Sequence, residues 1–181
     1  MLFAMKHNKN EQRRFQRTLS FIKKVEPNCK CILDLGVRNS LSFELEKRGY
    51  IVQNTLGEDL DLCPECIKNY DKPDVVTAFE ILEHLVSPFD ILKHLPSNKL
   101  IATVPLNLWF AKPYRNKSDK FDMHYHEFVD WQFDMLLEKA GWKIEYSEKW
   151  TAPICKIGLR PLLRLFYPRF YAVYATRKNL Q

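Results

Sequence analysis

Apolar positions fall along this chain in two rhythms, and each rhythm predicts its own kind of element. Over residues 9–25, Phe15, Leu19, Ile22 and Val25 recur at spacings of four and three, one apolar stripe on a helix. Lys30 to Leu35 is a short apolar run ending in Asp34-Leu35-Gly36, the pattern of a buried parallel strand. A short helix from about Leu41 to Arg48 stops at Gly49, and a second strand runs from Tyr50 to Leu56. Asp74 to Phe79 is a third strand, Phe89 to Leu95 a helix between Pro88 and Pro96, and Leu100 to Val104 a fourth strand. Residues 105–128 make a long polar and aromatic connection, of a length that in compact domains is usually functional or mobile. Asp130 to Ala140 is a helix stopped by Gly141. Trp142 to Trp150 alternates as an antiparallel or edge strand does. Leu159 to Phe166 reads as a short amphipathic helix, and Arg169 to Lys178 as the last strand.

Strands alternating with helices, closed by two alternating strands, predict an α/β fold: a doubly wound, mostly parallel sheet with an antiparallel edge strand. In such sheets ligands sit beyond the carboxyl ends of the strands, where strand order reverses. Candidate chemistry is therefore sought after Leu35, Leu56, Phe79 and Val104. A length of 181 residues fits one domain: an N-terminal helix (1–27), a core (28–150) and a basic, aromatic C-terminal extension (151–181).

Composition adds four points. Charged residues at 28% and hydrophobic residues at 46% are ordinary for a globular chain. The net charge of +6 favours acidic partners, namely nucleic acid, anionic lipid or phosphorylated substrates, or else is a solvated basic surface. The apolar start, Met1 to Met5, is too short for the core of a signal peptide, so a cytoplasmic location is expected. Five cysteines, an odd number, argue against a disulfide framework. Cys29, Cys31, Cys63 and Cys66 could supply four thiolates to zinc, the second pair at ligand spacing, although Cys31 opens a buried strand, where cysteine acts as a small hydrophobe.

The polar residues at the expected strand ends carry the chemistry. Leu33-Asp34-Leu35-Gly36-Val37-Arg38-Asn39-Ser40 ends a strand, turns at a glycine that lets backbone approach a ligand, and opens a helix whose first N–H groups suit an anion. Glu80, Glu83 and His84 follow the third strand, with Glu80 and His84 on one face if the segment is helical. His84 is the candidate general base. His126, or His124, would come across from the long connection.

These segments resemble the class I S-adenosylmethionine-dependent methyltransferases, in particular those related to the ubiquinone-biosynthesis O-methylating enzymes. The carriers are Asp34-Leu35-Gly36, Phe79-Glu80-Ile81-Leu82-Glu83-His84-Leu85, Thr103-Val104-Pro105 and His124-Tyr125-His126-Glu127-Phe128, followed by Leu136-Leu137-Glu138-Lys139-Ala140-Gly141-Trp142. The likeness spans about residues 30–146. Only Gly36 remains of the family's glycine-rich turn. Only 17 residues separate Leu56 from Asp74, where family members fit a helix, a strand and a loop. The sheet is therefore expected to lack one edge strand, which bears on the adenine pocket.

The resemblance implies S-adenosylmethionine as cofactor, and a methyl transfer to an oxygen of a small, lipid-linked or sugar-linked acceptor. It implies donor binding by Asp34, Gly36, Val37, Glu58, Asp59, Phe79 and Glu80, and catalysis by His84, Glu83 and His126, without metal. Asp34 would face the donor's ammonium group, and Glu58 or Asp59 its ribose. Two other readings use the same residues. A non-catalytic binding protein would keep the fold with its donor pocket filled by Arg38 or by the loop after Leu56. Glu80-x-x-Glu83-His84 with a later His-x-His also resembles the metal set of RNA ribose 2′-O-methyltransferases, with nucleic acid as the partner. Trp109, Phe110 and Tyr114 are candidates for an aromatic wall. Residues 158–171 mix arginines with large apolar side chains, which suits peripheral membrane contact or a helix packed on the sheet.

Overall fold

In the computed structural model, which describes residues 9–116, 122–153 and 157–178, every strand and helix read from the periodicity is present. The strands are β1 (Cys31–Asp34), β2 (Ile51–Asn54), β3 (Val75–Phe79), β4 (Lys99–Pro105), β5 (Trp142–Trp150) and β6 (Phe170–Arg177). They form one six-stranded sheet in the order β2-β1-β3-β4-β6-β5. β2, β1, β3 and β4 are parallel; β6 runs antiparallel between β4 and β5, so β5 is the outermost strand on that side. The C-terminal strand is thus a central member of the sheet.

Alternate residues of the central strands feed two cores, because side chains in a strand point to opposite faces. Leu33, Val76 and Leu100 pack with α3 (Pro88–His94) and α4 (Asp130–Lys139) through Ile91, Leu92, Phe133 and Leu137. Ile32, Val75 and Ile101 pack with α1 (Lys9–Val25) and α2 (Ser40–Glu46) through Phe15, Leu19, Ile22 and Leu45. Burial of such side chains contributes about 1.5–3 kcal/mol each, which anchors α1 across the sheet.

The short gap between β2 and β3 holds a 3-10 helix, Pro64–Asn69, and no strand, so β2 is the other edge. This turn brings Cys63 and Cys66 together as a disulfide. The four-thiolate zinc set is therefore not assembled, and Cys29 and Cys31 are free. Cys155 and the apolar N-terminus lie outside the described residues. Among the described residues no helix is long and apolar enough to cross a membrane.

Candidate active site

The carboxyl ends of β1, β3 and β4 open on a cavity of about 450 Å³, within the range of ligand pockets. Strand order reverses at β1 and β3, which is where a doubly wound sheet leaves such a crevice. Phe79, Glu80, Glu83 and His84 line it from the β3 end, Asn39 and Leu41 from the β1 end, and Tyr114 and His124 from the long connection. Arg14, Phe15 and Thr18 of α1 and Arg169 and Phe170 close it.

Asp34 is only 1% exposed and does not line the cavity. The parallel register sets it between Asn54 of β2 and Thr77 of β3. Thr77 Oγ1 donates to Asp34 Oδ1 at 2.6 Å, and Asn54 Nδ2 to Oδ2 at 3.1 Å. Burial pushes its carboxyl up to about 7, against those two donors. Its geometry is that of a strut under the turn. Gly36 N donates to Thr55 Oγ1 at 2.7 Å, and Asn54 Nδ2 also reaches Gly36 O at 3.3 Å. Gly36 holds φ 102°, where a side chain is strained, and an added Cβ would meet Ile81 at 3.2 Å.

Three of the amides that open α2 are taken. Asn39 Oδ1 accepts from Leu41 N and Ser42 N, and Ser42 Oγ accepts from Asn39 N, a capping box. Arg38 pairs with Glu46 and lies over the Phe43 ring, so it runs along α2 and does not fill the cavity.

Glu58 sits past β2 and accepts from Leu56 N at 2.8 Å and from the Tyr70 hydroxyl, which holds its carboxyl below the usual range. Asp59 caps its own turn through Asp61 N and Leu62 N. Asp61 accepts from Val86 N and Ser87 N, tying this loop to the β3 side. Around these acids Val37, Leu56, Leu62 and Val86 are exposed, Leu56 by 85%. Leu56, Glu58 and Leu62 lie beyond the end of β2, and none of these residues is among those that line the cavity.

The Glu80–His84 segment is not one helical turn. Glu80 takes φ 53°, rare for a non-glycine residue, because its N–H donates to Thr103 O at 2.8 Å while the chain turns off β3. Only Leu82–His84 is helical, and as a 3-10 turn. Glu80 is therefore directed to α1, where Arg14 Nη1 donates to it at 2.5 Å. Burial raises its carboxyl, with Arg14 opposing.

Glu83 is 1% exposed, and its Oε2 has no hydrogen-bond partner. Burial pushes it up to about 8. Its carbonyl accepts from Tyr125 N and His126 N, which fixes the long connection over the site. His84 Nδ1 lies 3.0 Å from Met123 O. A carbonyl only accepts, so Nδ1 carries the hydrogen and the neutral ring's lone pair is on Nε2, 3.9 Å from Glu83 Oε1.

His124, and not His126, stands beside it: the His84 and His124 rings meet edge to face at 4.7 Å. His126 turns away, with Nε2 3.2 Å from Val86 O and its ring stacked on Phe128. Glu83, His84 and His124 each offer an atom within 4.8 Å of the others'. Of the expected aromatic wall, only Tyr114 reaches the cavity, its ring 4.5 Å from that of His124. Trp109 and Phe110 pack on Tyr167 of the C-terminal segment.

Arg14, Thr18 and Arg169 are cavity residues that sequence spacing did not mark. In α1 only the apolar stripe has a period, and nothing in sequence says which flanking arginine meets β3.

No protein-family model and no curated protein matches the chain. Solved structures do. A Burkholderia thailandensis 1,6-didemethyltoxoflavin-N1-methyltransferase, with its substrate and S-adenosylhomocysteine bound, is similar with a TM-score of 0.64 and 16% identity, over 91% of this chain and 78% of that one. An Archaeoglobus fulgidus S-adenosylmethionine-dependent methyltransferase matches at TM-score 0.57 and 20% identity, over 92% of both chains. The [4+2]-cyclase SpnF matches at TM-score 0.60 and 12% identity, over 95% and 86%. With its sheet order and its cavity at the switch point, the chain has the fold of the class I S-adenosylmethionine-dependent methyltransferases.

Proposed function

We propose that this protein transfers a methyl group from S-adenosylmethionine to a hydroxyl oxygen of a small, lipid-linked or sugar-linked acceptor. The observation that carries this reading is His84, whose Nε2 is left as a base on the cavity by the bond from Nδ1 to Met123 O. When bound, the cofactor supplies a sulfonium methyl already activated toward nucleophiles. The chain's own residues then have to hold, orient and deprotonate. Glu58, with Val37 and Leu56, forms the rim for the adenosine half. Gly36 lets backbone pass close by, and Asp34 holds that turn through Asn54. Asp59 shapes the loop that carries Glu58. Phe79 and Glu80 border the cavity at the β3 end. His84 Nε2 takes the acceptor's proton, and buried Glu83 is the carboxyl beside the imidazolium that results. His126 positions the connection over Glu83 and does not itself reach the acceptor.

The test is a transfer assay with methyl-labelled donor over a panel of hydroxylated acceptors, using wild type and His84→Gln. Labelled product that falls in the variant supports the reading. Donor binding with no product from any acceptor would favour a binding protein on the same fold, a use consistent with SpnF being named a cyclase.

A second reading rests on the Glu83, His84 and His124 cluster, whose mix of one carboxylate and two imidazoles suits a divalent transition ion. The enzyme would then be a metal-dependent ribose 2′-O-methyltransferase acting on RNA. Activity abolished by chelation and by His124→Ala, and restored by manganese in wild type only, would establish it.

A further inference from the structure

Helix α5 (Leu159–Phe166) is oriented the wrong way round for a helix of a water-soluble surface. None of its residues is buried. Leu159, Leu162, Leu165 and Phe166 face solvent, with Leu159 72% and Phe166 73% exposed. The half-buried positions are Pro161, Leu163 and Arg164, and Arg164 lines the groove shared with α1. A soluble amphipathic helix turns its apolar stripe to the core, whereas four of the five large apolar side chains here face out. The apolar face continues past the helix. Tyr167 meets the rings of Trp109 and Phe110, and Trp109 is 73% exposed. Aromatic rings with a polar edge at the border of an apolar surface suit a membrane interface.

Charge selects the partner. The last 33 residues, 149–181, contain seven lysines and arginines and no aspartate or glutamate. That excess alone exceeds the net +6 of the whole chain. Arg160 is exposed on α5 itself, and Lys112 and Arg115 are exposed shortly after Phe110. A soluble apolar partner would answer the leucines but not the cations. An anionic bilayer answers both, since acyl chains take the apolar face and headgroups take the arginines.

We propose that α5, with Trp109 and Tyr167, docks the protein peripherally on an anionic membrane surface. This goes beyond the methyl-transfer reading and stands without it, because it rests on no cavity residue that the transfer uses.

The experiment is co-sedimentation with phosphatidylglycerol–phosphatidylcholine vesicles and with phosphatidylcholine vesicles, for wild type, Leu162→Ser/Phe166→Ser and Arg160→Glu. The expected result is binding to the anionic vesicles that falls on the order of tenfold in the apolar double variant. It falls roughly fivefold or more in Arg160→Glu, and raised salt weakens it. Unchanged melting temperatures will show that these exposed positions leave the fold intact. Absence of vesicle binding at low salt overturns the proposal, as does binding indifferent to Leu162 and Phe166. Light scattering that finds a dimer dissociated by the double variant, with no vesicle binding, would assign the face to a second copy instead.

Discussion

His84 gives its Nδ1 hydrogen to the carbonyl of Met123, 3.0 Å away, and this bond decides what His84 can do. It joins the end of β3 to the long connection, fixes the ring, and leaves Nε2 to face the cavity. His84→Gln is expected to lower the rate of methyl transfer by roughly 10²–10⁴, the range for a lost general base, with donor affinity little changed. Single-turnover kinetics beside calorimetry separate the two. A loss of donor binding equal to the loss of rate would mean that His84 supports the pocket instead.

Asp34 should govern stability through its burial. Burial raises its carboxyl from an ordinary 3.8 to about 7, so the folded state holds a proton that the unfolded state releases in between. The sign follows: stability from this group is full below pH about 4 and is lost as pH rises to about 7. Asp34→Asn cannot titrate. Denaturation from pH 5 to 8 should therefore show wild type losing stability relative to the variant by as much as a few kcal/mol. A difference that is flat with pH would show that Asp34 is ionised in the folded protein throughout.

Arg14 and Glu80 form an ion pair between α1 and β3 that keeps about a quarter to a third of each side chain exposed. Arg14→Ala leaves Glu80 with only the charge of Arg169, and its carboxyl, already raised by burial, should rise further. The cost is expected to be about 1–3 kcal/mol, below that of a fully buried pair because water reaches both groups. It should grow with pH, since protonation relieves Glu80. Glu80→Gln should cost less and show no such slope. Equal slopes in the two variants would contradict the pairing.

Gly36 and Gly49 make an internal comparison. Both hold positive φ, 102° and 88°, but an added Cβ at Gly36 meets Ile81 at 3.2 Å while at Gly49 it meets nothing within 4 Å. Each alanine should cost about 1–2 kcal/mol through backbone strain. Gly36→Ala should cost more, and it alone should weaken S-adenosylhomocysteine binding. Equal effects on binding would remove Gly36 from the donor site.

These residues also show what a sequence can and cannot tell. Ile32-Leu33 against Lys30, and the alternation of Trp142 to Trp150, made the strands legible, because burial on one or two faces writes its period into the chain. The short gap after Leu56 likewise foretold that β2 would be an edge. The neighbours of Asp34 were not legible, since Asn54 and Thr77 meet it only through strand register. The Glu80–His84 string looks helical by spacing, yet Glu80 N still bonds to Thr103 O and the residue itself is left-handed. His124 and His126 are equivalent by spacing, and only the path of the connection over Glu83 selects His124. The solvent-facing stripe of α5 was readable as amphipathic, but not which side would face out.

Binding of the methyl donor across the carboxyl ends of the strands is decided by isothermal titration with S-adenosylhomocysteine, with Glu58→Ala as the variant beyond β2 and its melting temperature as the control for folding. Micromolar binding is expected in wild type, weakened at least tenfold in Glu58→Ala with the fold intact. No heat at millimolar ligand in a folded wild-type protein would contradict it, and would leave a methyltransferase fold serving another purpose.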